Sequence, residues 1–326
     1  MNYCTYFDFN YIHFGLGLCK SLTKYSATSK IFVLALDQKT KTIVSLHLPN
    51  VIVIELNEIE KNYPELKSCK TNRTIKEYYW TCTAHLIHFL IVTKELKWLV
   101  YLDSDQFFFN SPREFEHKVK INSVCLLPHR FRNSLLHLKI FGIYNVSWIS
   151  FQNNTESIRT VEWWKKMCIE DCSININKGV VGDQKYLDYF HKKCKSICEI
   201  SSQSFGAPWN KFDIDKLIIY HFQSLRFISK FLFAFKHDSY NFKINNTVFR
   251  KLYEPYLKYL IEIDNRYFNN QQFDYILFLK KVKPQLQNDF IFYYKSFYII
   301  INLNYFFLIK DKIHRLMNKF RNIFYL

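Results

Sequence analysis

Short apolar runs alternate with helical patterns over the first two-thirds of the chain. Candidate strands are Tyr3–Phe7, Lys30–Leu36, Val51–Leu56, Trp98–Leu102, Ser123–Leu127 and Trp148–Phe151. Between them, apolar residues recur at helical spacing over Phe14–Thr23, Ile75–Thr93 and Ser157–Glu170. Strands that are apolar throughout belong to a sheet covered on both faces, and their alternation with helices predicts an α/β fold with a largely parallel sheet. Ligands of such sheets bind beyond the carboxyl ends of the strands, which directs attention to that edge.

The pattern changes near residue 230. Residues 231–326 are rich in Phe, Tyr and basic side chains, with helical spacing at Leu252, Tyr256, Tyr259 and Leu260 and again at Ile313, Leu316, Met317, Phe320 and Phe324. Two domains are therefore expected, 1–230 and 231–326, the second helical. Lys310, Lys312, Arg315, Lys319 and Arg321 oppose the last apolar stripe. That segment fits a helix lying on an anionic membrane surface, and equally a helix packed on the first domain with a solvated basic face. The longest apolar stretch, Ser296–Ile309, is shorter than the ~18–20 residues that span a bilayer.

Composition narrows the class of function. Lys and Arg number 45 against 28 Asp and Glu, a net charge of +17, which suggests an anionic partner: nucleic acid, anionic lipid or a phosphate-bearing substrate. Only 6 glycines are present, and no GxGxxG or Walker loop. The basic residues are dispersed and form no RRM, helix-turn-helix or zinc-finger pattern, so nucleic acid is not the expected partner, although a basic aromatic nucleic-acid-binding protein is the competing reading. The N-terminus lacks a basic segment followed by an apolar one, which predicts a cytoplasmic protein whose 9 cysteines are reduced. Cys168/Cys172 and Cys194/Cys198 have the spacing of thiols on one helix face and read either as a zinc site or, more simply, as buried thiols.

The strongest chemical signal is Trp98-Leu-Val-Tyr-Leu-Asp103-Ser-Asp105, followed by Phe107-Phe-Phe-Asn-Ser-Pro112. An apolar strand ends abruptly in two carboxylates one residue apart. Either they hold one hard cation such as Mn²⁺ or Mg²⁺, or they form a solvated acidic turn. Leu217-Ile-Ile-Tyr220 is a second strand-like run and ends at His221, which could meet the carboxylates where neighbouring strand ends converge.

With these segments the chain resembles nucleotide-sugar-dependent glycosyltransferases of the A-type fold, particularly the bacterial lipopolysaccharide-type and glycogenin-like groups. The resemblance runs from about Asn2 to Arg226 and rests on YLDSD with FFFNSP, then on shorter segments in the family's order: Asp8-Phe-Asn10-Tyr11, Tyr144-Asn145-Val-Ser-Trp148, Gly182-Asp183-Gln184 and His221-Phe222. It implies a single Rossmann-like A-type domain with a mixed, mostly parallel sheet, and a helical aromatic and basic C-terminal extension. It implies transfer of a hexose-type sugar from a nucleotide diphosphate, UDP above all, to a glycan or glycolipid acceptor in surface polysaccharide synthesis, with retention favoured over inversion; the basic C-terminal stripe adds the expectation of a place on the inner face of a membrane. Asp103, Asp105 and His221 would hold Mn²⁺ or Mg²⁺. Thr5, Asp8, Tyr11, Asp103, Ser104, Asn145 and Arg226 would contact the donor, and Asp183 and Gln184 would act at the reacting carbon.

Departures from the family are plain. Gln223, Ser224, Leu225 and Arg226 replace the family's HFxGxxKPW ending, Ser147 replaces a Gly, and the Arg expected in Glu77–Cys82 is missing, with Arg73 nearby. The altered ending leaves room for a member of the fold that has lost catalysis. His129 and Arg130 read either as contacts to acceptor or phosphate or, more simply, as a surface turn, Trp163-Trp164 as core packing rather than a sugar platform, and Ala207-Pro-Trp209-Asn210 as a family loop without an assigned role.

Overall fold

The computed structural model describes residues 1–229, 232–235, 240, 242–267, 289–294 and 297–301. The chain divides into two compact units, Met1–Gln223 and Ser224–Leu326. The expected strands form in the first: β1 (Asn2–Phe7), β2 (Lys30–Ala35), β3 (Val51–Glu55), β4 (Trp98–Leu102), β6 (Val124–Pro128) and β7 (Tyr144–Gln152). With β10 (Ile197–Glu199) they make a seven-stranded sheet in the order β10-β6-β7-β4-β1-β2-β3. β1 to β4 run parallel and β6 runs parallel to β10, while β7 lies antiparallel between β4 and β6. The sheet is mixed and mostly parallel, and helices pack against it.

Sequence explains the helices. α1 (Ile12–Tyr25) follows a turn capped by Asp8, and Gly15 lets it approach β1 so closely that a Cβ would stand 2.3 Å from the Phe7 ring. α2 (Gln38–His47) is capped by Asp37, and short α3 (Leu56–Asn62) and α4 (Pro64–Ser68) follow β3. α5 (Ile75–His88) opens on a capping box of Thr74 and Glu77 and ends in a π turn over Phe89–Thr93. α6 (Arg113–Ile121) follows Pro112, and α7 (Thr155–Glu170) opens on a box of Asn154 and Ser157. The core lies where α5 and α7 cover the sheet, with Tyr78, Phe89, Phe151 and Trp164 at its centre.

Two small ribbons position the chemistry. β5 (Gln106–Phe108) and β11 (Phe205–Gly206) flank β12 (Ile219–His221) in a three-stranded sheet, and β8 (Ile174–Asn175) pairs with β9 (Val180–Val181) just before Asp183.

In the second unit, the helical spacing at Leu252, Tyr256, Tyr259 and Leu260 is realised in α8 (Asn246–Val248), a π turn over Phe249–Tyr253 and α9 (Glu254–Tyr267). The expected helical region is thus present. The unit also holds an antiparallel sheet of β13 (Arg226–Ser229), β14 (Leu232–Phe235), β15 (Asp289–Tyr294) and β16 (Phe297–Ile301). DFIFYY and FYIII are aromatic and β-branched runs, which suit strands better than helices. The segment Lys310–Leu326 lies outside the described residues, and among the described residues no helix is long and apolar enough to cross a membrane.

Candidate active site

β4 delivers Asp103 and Asp105 to the carboxyl edge of the main sheet. The turn after it closes with Gln106 N donating to Asp103 O at 3.3 Å, and buries Ser104. His221 reaches the same place by another route than converging ends of one sheet. β12 pairs antiparallel with β5, which sets His221 opposite Gln106. Phe222 N donates to Asp105 O at 2.9 Å and locks that register. Imidazole Nε2 then stands 3.0 Å from Asp105 Oδ1 and 3.9 Å from Asp103 Oδ2.

The ligand atoms of Asp103, Asp105 and His221 all lie within 4.8 Å of one another, and among the described residues no other set of three or more His, Cys, Asp or Glu does so. The cysteines thus show no such cluster; all nine are free thiols and eight are buried. Adjacent ligands of a small divalent cation are about 3 Å apart when its bonds are about 2.1 Å. Two carboxylate oxygens and one imidazole nitrogen fit Mn²⁺ or Mg²⁺, the nitrogen leaning toward Mn²⁺. Asp103 has the most open side chain of the three, 26% exposed against 12% for Asp105 and 4% for His221, and so faces whatever approaches.

Electrostatics agree with a cation site. Burial raises the carboxyl pKa of Asp103 to about 6; His221 draws it down, Asp105 pushes it up, and the Tyr101 hydroxyl donates to it at 2.9 Å. Burial opposes charging His221, but Asp105 and then Asp103 outweigh it and hold its pKa above the ordinary value. In the absence of a cation the protonated imidazole of His221 supplies the positive charge that offsets the two carboxylates.

Asp183 forms a second buried acid beside the first. β9 ends at Val181; Gly182 follows it with a φ of +55°, which favours glycine, and Trp164 Nε1 donates to the Asp183 carbonyl at 2.9 Å. Its carboxylate is 3% exposed, and Oδ2 has no hydrogen-bond partner. Burial raises its pKa to about 7, with Thr83 acting the other way and the charge of Asp103 adding to the rise. The phenols of Tyr6 and Tyr101, their rings 5.8 Å apart, feel both carboxylates.

The remaining residues are placed as follows. Asp8 Oδ1 accepts from Asn10 N and Tyr11 N at 3.0 and 3.3 Å, so its carboxylate caps the turn at the end of β1, and the Tyr11 ring packs on Phe14. Thr5 is buried within β1 with no partner for its hydroxyl. Asn145 donates through Nδ2 to His129 Nε2 at 3.0 Å and accepts from Ser147 N at 2.7 Å. Gln184 bridges Phe141 O and Val146 N at 3.1 and 3.4 Å. Arg226 belongs to the second unit, at the start of β13.

Four features escaped the sequence reading. His129 is buried rather than on a surface turn, stacked on Phe131 at 4.6 Å, and burial lowers its pKa to about 3. Trp209 of the Ala207–Asn210 loop sets its ring edgewise against both His129 and His221. Asp37 binds Phe9 N at 2.7 Å while capping α2, tying the ends of β1 and β2 together. Arg73 donates to Thr81 Oγ1, Cys168 O and Ile169 O at 2.7 to 2.9 Å, so its guanidinium serves the last turn of α7.

No family model matches the chain. Curated relatives include two uncharacterized proteins of Bacillus subtilis (strain 168). YfnF is 27% identical over 251 residues, 70% of this chain and 82% of that protein. YfnD is 27% identical over 237 residues, 66% and 75% of the two chains. Among solved structures, the chain is similar to apo mouse xyloside xylosyltransferase 1, at 11% identity and a TM-score of 0.47 over 68% of this chain and 97% of that one. It is similar also to the galactosyltransferase LgtC with donor and acceptor sugar analogues, at 13% identity and a TM-score of 0.47 over 77% and 100%. The glycosyltransferase GlyE of Streptococcus pneumoniae TIGR4 is similar at 14% identity and a TM-score of 0.47 over 84% and 65%.

Proposed function

We propose that the protein is a metal-dependent glycosyltransferase that moves a hexose-type sugar from a nucleotide diphosphate, with UDP the preferred carrier, to a glycan or glycolipid acceptor. The observation that carries this reading is the meeting of Asp103, Asp105 and His221 at the carboxyl edge of an α/β sheet, with Asp183 buried beside them. Mn²⁺ or Mg²⁺ bound there would neutralise charge developing on the departing diphosphate.

The chain's own residues do the rest. Asp103 and Asp105 present oxygens toward the open side, and His221 closes the set from behind. Asp183, whose pKa of about 7 lies near neutrality, is suited to hold or pass a proton at the acceptor hydroxyl or to orient it. Gln184 and Asn145 shape the wall from Phe141 to Ser147 that would face the sugar. Asp8 and Tyr11, at the end of β1, would frame the base, and Thr5, Ser104 and Arg226 are further donor contacts in this reading. Retention is the favoured stereochemical course. A peripheral place on the inner face of an anionic membrane rests on the basic stripe of Lys310–Leu326.

The direct test is to incubate the whole protein with a panel of nucleotide sugars and Mn²⁺ and measure release of the nucleotide diphosphate. Release from one or a few donors, abolished by EDTA, supports the reading. Absence of release and of metal-dependent nucleotide binding across the panel would overturn it.

A further inference from the structure

His221 and Gln106 are cross-strand partners in the β5–β12 ribbon. The ladder is bonded on either side of them, from Phe222 N to Asp105 O at 2.9 Å and from Phe109 N to Ile218 O at 2.8 Å. Bonded and non-bonded positions alternate along an antiparallel ladder. His221 opposite Gln106 is therefore a non-hydrogen-bonded pair, with both side chains on one face and Cβ atoms about 4.5–5.5 Å apart.

Both residues are buried, Gln106 completely. Both carry unmet polar capacity: neither Nε2 nor Oε1 of Gln106 has a partner, and neither does Nδ1 of His221. An unpaired amide inside a protein is unfavourable, and an apolar side chain of the same length would fill the space without that cost. Nδ1 has no acceptor among the side chains placed against the imidazole, and the neighbouring His129 has its own ring nitrogens engaged by Ile143 O and Asn145. The aspartates sit at Nε2, and Trp209 presents its ring at 86° and 5.4 Å, with an indole N–H that only donates. A histidine can ligate a cation through Nε2 only in the tautomer that carries its proton on Nδ1, and that tautomer is selected by what Nδ1 bonds to.

We propose that Gln106 is a positioning residue for His221: its Oε1 accepts the Nδ1–H of the imidazole through one buried water and so holds the ring with Nε2 between Asp103 and Asp105, where it donates to Asp105 without a cation and is free to ligate one when it binds. This rests on the metal-site reading given above. Gln106 does not touch the cation; it acts through the ring it orients.

The test uses the full chain and two readouts. The first is Mn²⁺ affinity by titration calorimetry without nucleotide, for the parent, Gln106→Met, Gln106→Glu and His221→Ala. The second is the ¹⁵N shift pattern of the His221 ring at alkaline pH with saturating Mg²⁺, a diamagnetic stand-in for Mn²⁺, because without a cation Nε2 lies 3.0 Å from Asp105 Oδ1 and donates to it. We expect the parent to hold its proton on Nδ1, Gln106→Met to lose that preference with about 10–100-fold of Mn²⁺ affinity, and Gln106→Glu, which keeps an acceptor, to restore both. If Gln106→Met keeps the parent's affinity and tautomer, or if the parent carries its proton on Nε2, the inference is overturned. The parent's ring spectrum decides this even if Gln106→Met does not fold. A His221→Ala variant that binds Mn²⁺ like the parent would instead sink the metal site, and the spectrum would still report on the Gln106 contact.

Discussion

Gly182 lies against the indole of Trp80: a Cβ at this position would meet Cε3 at 3.0 Å, and the backbone φ is +55°. The residue that follows is Asp183, so this contact fixes where the buried acid leaves β9. Gly182→Ala combines an unfavourable left-handed backbone with a tight contact to a half-buried ring packed against the core. It should lower stability by about 1–3 kcal/mol and reduce turnover by displacing Asp183. Denaturant unfolding beside a turnover assay would show whether both fall; a variant with parental stability and rate would mean that the turn is freer than its geometry implies.

Asp183 is expected to act in transfer rather than in donor binding. Its carboxylate is buried with one oxygen unpartnered, and its pKa of about 7 suits proton exchange at neutral pH. Asp183→Asn should cut turnover by at least about 10²-fold while leaving nucleotide affinity unchanged. Normal turnover in that variant would remove Asp183 from the mechanism.

The same acid makes a prediction about stability. The folded pKa is about 7 against an ordinary 3.8, so below about pH 4 the group is protonated in both states and contributes nothing. As pH rises toward 7 the unfolded chain releases the proton while the folded chain keeps it, and stability falls by an amount on the order of 4 kcal/mol. Asp183→Asn removes this penalty. Above pH 7 the variant should therefore melt at a higher temperature than the parent, with the gap closing toward pH 4. Equal melting temperatures at pH 8 would show that the carboxylate is solvated.

Arg73 lies close in sequence to the place where the resemblance leads one to seek a donor-binding arginine, yet its guanidinium is taken up by Thr81 and the carbonyls of Cys168 and Ile169. Arg73→Ala should cost about 1–3 kcal/mol of stability through unpaired carbonyls and leave nucleotide affinity alone. Weakened UDP binding in a stably folded variant would return Arg73 to the donor site.

How much was legible in the chain follows from the range of each interaction. Strands β1 to β4 could be read because each is a continuous apolar run, and Asp103 and Asp105 stood out because they end one. The pairing of β5 with β12 joins short segments far apart in sequence, and such register leaves no local trace. His221 was therefore expected at the site by the wrong route, and Gln106 was not noticed. His129 was misplaced for a related reason: its burial comes from Phe131, Asn145 and Trp209, which no periodicity brings together. Asp37 could have been found, since an Asp before a helical segment is a capping signal. The strands of the second unit were hidden by an aromatic composition that suits helix and sheet alike.

The central claim is that His221 shares one cation with Asp103 and Asp105. Its most direct test is UDP binding with and without Mn²⁺, measured by titration calorimetry on the parent, Asp105→Ala and His221→Ala, each checked for a folded melting transition. The account predicts that Mn²⁺ strengthens UDP binding to the parent and that both variants lose this gain while staying folded. A folded His221→Ala protein that binds Mn²⁺ and UDP as the parent does would contradict it and return His221 to the core.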